Sequence, residues 1–430
     1  MREILKSLLP GERRAFGLHL LYSFIEGVIL GVLALNEYVL IKSLKGTDFQ
    51  IGLLFQFSVI LLLFSVILNE WIRRSSDKAR LIRTVAWITR VPLFFLLFFP
   101  RSVEAFGDNQ LYNLAFLGIF LLFYLANPII YPVINLFLKN NYRHHVFGSL
   151  YSYATSLNKA AMLLATFLFG IWLDADPYVF VYVYPVLALL GIISIYILSR
   201  IPHTPMPVEL EKRGFWKSVT SSILNMMRIF RTNKPYRDFE TGFALYGFAW
   251  MTTIAVITIF FDKVLNLSYS SVAFYKNSYN LIAIVLLPLF GKLIGKIDPR
   301  KFGVYTFLSL FFYLFFLMLT QYLPGHITIF GIQLYYMLIP AFLSHAVFAA
   351  TMALLWYIGS AYFSKPEEAA DYQSIHLTMT GIRGLYGPIL GVLLYQLLGL
   401  TWTLVFAMIA LLTSVWILLW SMHRHPVKVD

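Results

Sequence analysis

Five ionisable side chains stand inside apolar runs long enough to cross a bilayer: Glu26, Arg90, Lys159, Lys276 and Arg383. Placing such a group at the centre of a spanning helix costs about 2.5–3.5 kcal/mol. Each therefore needs a partner, an aqueous cavity or a task. From the helical rise, Glu26, Arg90, Lys159 and Arg383 lie roughly 14–20 Å from the same end of their runs, and Lys276 roughly 12 Å from the other. All five are near mid-membrane. Four cations against one carboxylate leave surplus positive charge, which favours a negatively charged solute. On that reading Lys159, Arg383 and Lys276 attract an anionic group, and Glu26 gains and loses a proton. The competing reading is structural, with Glu26 paired to Arg90 or a lysine. The role of Arg90 stays open between the two.

Helical spacing extends these points into stripes. One run gives His19, Tyr22, Ser23 and Glu26; another gives Ser152, Thr155, Ser156 and Lys159. A third gives Lys276, Asn277 and Asn280, and a fourth His376, Thr380, Arg383 and Gly387. A polar stripe cannot face lipid cheaply, so each is expected to face the bundle interior or water. Tyr246 and Trp250, and Trp356 with Tyr357, offer rings on which a ligand could stack. Aromatic residues make up 17% of the chain, so packing is the competing role for any one of them. His345 reads as an interior histidine with its bonds satisfied.

The elements that must hold these residues follow from composition. Of 430 residues, 59% are hydrophobic and 13% charged, against about 25% charged in soluble domains. That excludes an ordinary soluble enzyme, a nucleic-acid-binding domain and a disordered chain. There is no cysteine, which excludes disulfide frameworks, thiolate metal sites and cysteine nucleophiles. Reading for runs of about 20 apolar residues predicts twelve helical spans, near 15–40, 49–70, 82–100, 110–138, 146–173, 178–199, 239–262, 269–292, 302–323, 328–361, 372–398 and 400–422. Runs such as LLLFSVIL and FFYLFFLML do not alternate as barrel strands do. The segment from Phe16 is too long for a signal-peptide core and reads as the first span. No HExxH, GxSxG or GxxxxGK[ST] pattern is present, which argues against an enzyme or an ATP-driven pump. No cofactor or metal is implied.

Lysine and arginine collect on one side: the N-terminus, the 2–3, 4–5, 6–7 and 8–9 connections, Lys365 and the C-terminus. The other side holds Lys42, Lys45, Arg101 and Lys263. By the positive-inside rule both termini are cytoplasmic, in a plasma (inner) membrane. The net charge of +13 is thereby explained by topology, and no nucleic-acid partner is needed. The 6–7 connection, 200–237, mixes apolar and basic residues over Phe215–Arg231 as a short amphipathic surface helix does. It separates a six-span bundle over 1–199 from another over 238–430. Laying one half on the other sets Lys159 on Arg383, Ser156 on Thr380 and Ser152 on His376, and sets Asp77 on Asp298 and Arg80 on Lys301. These matches point to an internal duplication with both halves in the same orientation.

The fold class is therefore an all-α membrane protein with twelve transmembrane helices in two pseudo-symmetric bundles. That architecture resembles the major facilitator superfamily of secondary transporters. The 8–9 connection carries part of the family's G-x-x-x-D-R/K-x-G-R-R/K loop in Gly291, Lys296, Arg300 and Lys301. Gly295 stands where the acid belongs, and Asp298 comes three residues late. The first-half copy, Glu70 to Arg80, lacks the opening glycine, has Arg74 at the acid position, and contains Asp77. The resemblance implies a gating role for these loops. It also implies a central cavity lined by spans 1, 2, 4, 5, 7, 8, 10 and 11, around which Glu26, Lys159, Lys276 and Arg383 would gather. Gly387-Pro388-x-x-Gly391 lies in span 11, whereas antiporters of the family carry such a motif in span 5. The implied activity is secondary active transport of a small solute by alternating access; the surplus of buried cations points to an organic anion as that solute, and Glu26 to proton coupling. The implied partners are that solute, protons and the lipid bilayer, and the expected state is a monomer. A drug or lipid-like efflux carrier is the first alternative, and a non-transporting membrane sensor or assembly protein the second.

Overall fold

The computed structural model describes residues 8–36, 39–46, 50, 53–54, 57, 59–102, 110–203, 215–267 and 269–426. Much of the first half of the predicted second span lies outside them. The described chain is almost entirely helical. In order, the helices are α1 (Pro10–Leu33), α2 (Ser65–Arg74), α3 (Lys78–Arg90), α4 (Gln110–Tyr124), α5 (Asn127–Asn141), α6 (His144–Ala175) and α7 (Phe180–Leu198). They continue as α8 (Phe215–Thr232), α9 (Lys234–Ile259), α10 (Tyr269–Ile294) and α11 (Pro299–Tyr322). A hairpin of β1 (His326–Ile329) and β2 (Ile332–Tyr335) leads into α12 (Leu338–Ile358) and α13 (Ala369–Arg424). Among the described residues, nine segments are long and apolar enough to cross a membrane.

The helix starts obey local chemistry. Asp77 caps α3 by accepting from the Arg80 backbone N–H at 2.8 Å. Asp298 caps α11 by accepting from the Arg300 N–H at 2.8 Å, and Asn233 caps α9 through the Tyr236 N–H at 3.1 Å. The two aspartates that the internal alignment pairs thus do the same local job. Asp77→Ala is expected to lower stability by about 1 kcal/mol, the usual worth of an N-cap. The check is a denaturation midpoint, with Asp77→Asn retaining the wild-type value.

Four predicted spans differ in detail. The run near 110–138 is two helices, α4 and α5, joined through a turn at Leu125 and Ala126. Pro128, at the start of α5, has no N–H to donate. The run near 328–361 is helical only from Leu338. Its first part is the antiparallel hairpin, which pairs Ile329 with Ile332. Phe330 and Gly331 turn it with φ of 50° and 77°, the double positive φ of a two-residue hairpin. Spans 11 and 12 run on as α13 and are separated at one residue, Gly399, with φ 78° and ψ −180°.

Packing divides the chain into two compact units. The first is Met1–Arg143, Tyr153–Ile223 and Lys365–Thr378; the second is His144–Ser152, Leu224–Ser364 and Met379–Asp430. The first has a core around Ile29, Leu93, Phe116, Phe120 and Tyr184. In it the Tyr184 hydroxyl donates to Asn36 Oδ1 at 2.6 Å. Glu12 takes the Arg143 Nε at 2.9 Å and its backbone N–H at 3.1 Å, tying the start of α1 to the α5–α6 connection. The hydrogen bond to Glu12 holds the Arg143 guanidinium above its ordinary pKa. In the second unit an aromatic seam runs between α9, α10, α11 and α12, with Tyr246 stacked on Phe307 at 5.1 Å and Tyr275 on Phe342 at 4.9 Å.

Candidate functional site

The first unit sets two mid-span charges, Glu26 of α1 and Arg90 of α3, against α7. His19, Tyr22 and Ser23 are buried and Glu26 half-buried, so the predicted α1 stripe faces inward. Glu26 Oε1 accepts from the Ser194 hydroxyl of α7 at 2.5 Å. Arg90, at the end of α3, donates through Nη1 to the Phe123 carbonyl at 2.9 Å and to Thr89 Oγ1 at 3.2 Å. Its guanidinium carbon lies 3.8 Å from the Phe123 ring centroid, a cation–π distance. The charges of Arg90 and Glu26 act on one another. Gly191, one turn before Ser194, is what admits the arginine. A Cβ there would come within 2.9 Å of Arg90 Cδ. Arg90 is thus held by the Phe123 carbonyl and ring and by Thr89.

Lys159 has a different setting. On α6, Asn158 Nδ2 donates to the Ser23 carbonyl at 2.9 Å, and Thr166 Oγ1 to the Gly31 carbonyl at 2.8 Å. Gly27 and Gly31 allow this approach, since a Cβ on either would strike α6 backbone at Asn158 or Met162. Asn158, Met162 and Thr166 therefore form the face turned to α1, with helical spacing of four. Lys159 stands about 100° round from it, half-buried, with half-buried Ser156 and Thr155 a turn earlier. Among the described residues the Lys159 ammonium makes no hydrogen bond or ion pair.

In the second unit Arg383 is 2% exposed. Its Nη1 donates to the Phe243 carbonyl and its Nη2 to Thr380 Oγ1, both close contacts. The guanidinium carbon is 5.4 Å from the Phe243 ring centroid, and the charge of Glu240 acts on it. Gly247 leaves the notch: a Cβ there would lie 2.7 Å from Arg383 Nη1. Lys159 and Arg383, aligned in sequence, therefore have different surroundings. Arg383 clamps α13 to α9, whereas Lys159 holds nothing among the described residues. Thr380 serves the clamp. His376 is fully buried and belongs to the first unit.

Tyr246 is an interior packing residue, stacked on Phe307 and edge-on to Phe243 at 5.1 Å, because α9 turns that face into the aromatic seam. Trp250 is half-buried and stacks on His345 at 5.6 Å. His345 also meets Tyr279 at 4.3 Å and Tyr313 at 4.4 Å. Lys276 is on α10, and its side chain lies outside the described residues; Asn277 is exposed and Asn280 half-buried.

The 8–9 loop residues cap a helix and anchor a polar network. Asp298 accepts from Arg300 Nη2 at 2.6 Å, and the fully buried Arg300 donates to Ser421 Oγ at 2.8 Å. Ser421 in turn donates to Asp238 Oδ2 at 2.7 Å. This chain joins the starts of α9 and α11 to the end of α13. Lys296 and Lys301 are exposed, and Gly291 is buried in close backbone approach to Gly148 of α6. Sequence reasoning missed Glu240. It also missed the bonds from Asn69 Nδ2 to Asp371 Oδ1 at 2.6 Å and from Ser222 Oγ to Glu70 Oε2 at 2.8 Å. For Glu240 a signal existed: Glu240, Phe243 and Gly247 fall on one face of α9.

Comparison with known proteins agrees with this architecture. No curated protein matches the chain in sequence. Among solved structures, the human organic anion transporter MFSD10 (TETRAN) superposes with a TM-score of 0.73 at 12% identity, covering 95% of this chain and 100% of its own. A bacterial homologue of the iron transporter ferroportin, in an outward-facing state, gives 0.68 at 12% identity over 97% of this chain and 100% of its own. The E. coli fucose:proton symporter FucP gives 0.64 at 14% identity over 94% and 98%. At such identities these likenesses show the fold. The family model described as Major Facilitator Superfamily matches residues 15–356. With that match over most of its length, the chain belongs to the major facilitator superfamily, and it is a multi-pass membrane transporter, not an enzyme.

Proposed function

We propose that this transporter carries a small organic anion, with Lys159 attracting the solute's negative charge and Glu26 exchanging the coupling proton. The observation that carries the reading is the half-buried Lys159 ammonium at mid-helix, which has no partner among the described residues. A cation at that depth requires water or an anion, and a solute that supplies the anion gains a charge-assisted hydrogen bond. Arg383 enters this reading as a positioning residue, because its Nη1 and Nη2 already donate to the Phe243 carbonyl and to Thr380. Glu26 suits proton exchange because it is a half-buried carboxylate at mid-helix whose Oε1 accepts from the Ser194 hydroxyl. Two of the structural neighbours are described as proton symporters and one as an organic anion transporter, which supports both parts. We place the protein in the inner membrane as a monomer with both termini cytoplasmic, and read 1–199 and 238–430 as its two moving halves.

The drug-like alternative rests on the half-buried Trp250 ring, which suits a neutral aromatic solute. Uptake into proteoliposomes under an imposed pH gradient separates the two. Organic anions are expected to accumulate, and Glu26→Gln to keep solute counterflow while losing gradient-driven accumulation at least about tenfold. Accumulation by Glu26→Gln at the wild-type level removes the proton role. Movement of neutral aromatic solutes with no competition from anions replaces the anion reading by the alternative.

A further inference from the structure

Helix α8 has more apolar surface than the protein covers. Val219, Ser222 and Ile229 are buried, Ser222 through its bond to Glu70. Ile223, Leu224 and Met227 are large apolar side chains left exposed, Leu224 at 60%. Leu224, Met227, Arg228 and Arg231 share one face by their spacing, so an exposed apolar strip ends in two arginines. A helix of this kind lies in the headgroup region of a bilayer, apolar strip down and basic groups level with the phosphates.

Behind that strip is a cavity of about 380 Å³ lined by Met226, Met227, Phe230, Arg231, Arg237 and Met379. Its wall is apolar and adaptable, because unbranched methionine refits around irregular chains. Its charge is wholly basic. Arg231 is exposed and has no hydrogen bond or ion pair among the described residues. Arg237 shares its charge with Asp238 at 2.9 Å. Guanidinium beside a methionine and phenylalanine groove fits an amphiphile with an anionic head and a hydrocarbon tail. The exposed Leu224 and Met227 lead from the groove onto surface that only lipid would cover. We propose that this cavity binds an anionic phospholipid, its phosphate held by Arg231 and Arg237 and the first part of an acyl chain laid along Met226, Phe230 and Met379. The site rests on the reading of the 6–7 connection as cytoplasmic, next to the anionic leaflet, and not on the identity of the transported solute.

The test is lipid retention by the full chain in neutral detergent, read by native mass spectrometry. The probes are dioleoylphosphatidylglycerol, dioleoylphosphatidylcholine and free glycerol 3-phosphate. Phosphatidylglycerol is expected to be retained and phosphatidylcholine washed off. Arg231→Gln should weaken retention about tenfold, the worth of one charge-assisted contact. Met226→Trp, which fills the groove and keeps both arginines, should weaken it comparably. Arg14→Gln, an exposed basic residue elsewhere, should change nothing. Equal retention of the two lipids, wild-type retention by both cavity variants, or displacement of the lipid by equimolar glycerol 3-phosphate overturns the proposal. Because the readout is bound lipid, a failed anion-uptake experiment would leave it standing.

Discussion

Lys159→Gln is expected to weaken binding of the transported anion by about tenfold to a hundredfold and to leave the melting temperature within about 2 °C of wild type. A hydrogen bond to a charged group contributes about 1.5–3 kcal/mol, and each 1.4 kcal/mol is tenfold in affinity. Stability should hold because nothing described in the fold depends on this ammonium. Removing an unpartnered cation from mid-membrane relieves a desolvation penalty. The measurements are a thermal melt of purified protein and the solute concentration that half-saturates uptake, with Lys159→Arg recovering most of the affinity. A variant that binds anions as well as the wild type does, or that melts well below it, means that Lys159 is a structural group and that the proposed solute site is wrong.

Arg383→Met should behave in the opposite way, losing about 3–5 kcal/mol of stability, the usual result of removing one partner from a buried charged network. The guanidinium is 2% exposed. Its removal breaks the bonds to the Phe243 carbonyl and Thr380 Oγ1 and takes away a cation that acts on Glu240 in a low-dielectric interior. Adding Glu240→Gln to Arg383→Met should recover at least half of the loss, since the pair is then removed together. A double-mutant cycle on melting temperature or retained monomer after heating reads this directly. Additive losses would show that Glu240 and Arg383 are not coupled. Unchanged stability in the single variant would return Arg383 to the role of a free cation.

The contrast between these two residues shows where sequence reading stops. Both are cations at similar depth, and the internal alignment sets one on the other. What separates them is a notch at Gly247 and a carbonyl at Phe243, some 140 residues from Arg383 in the chain. The spacing of one helix cannot display the shape of its neighbour. The α1 stripe, by contrast, was legible because a 3.6-residue period is a local property, and burial follows it from His19 to Ser23. The caps at Asp77 and Asp298 were visible as acids just ahead of Lys78 and Pro299. The bond between Asn69 and Asp371 spans 302 positions and has no local signature. The hairpin before α12 was hidden for another reason. Its isoleucines and tyrosines extend the apolar run of the helix, so hydropathy sees one segment where a two-residue turn makes two.

Gly399 leaves no spare chain between the last two spans. Two rods butted at one residue cannot slide past each other, and a tilt of either displaces the root of the other. A motion of one rod is therefore passed to the other through this residue. The antiparallel ribbon between α11 and α12 gives that other pair the play that the final one lacks.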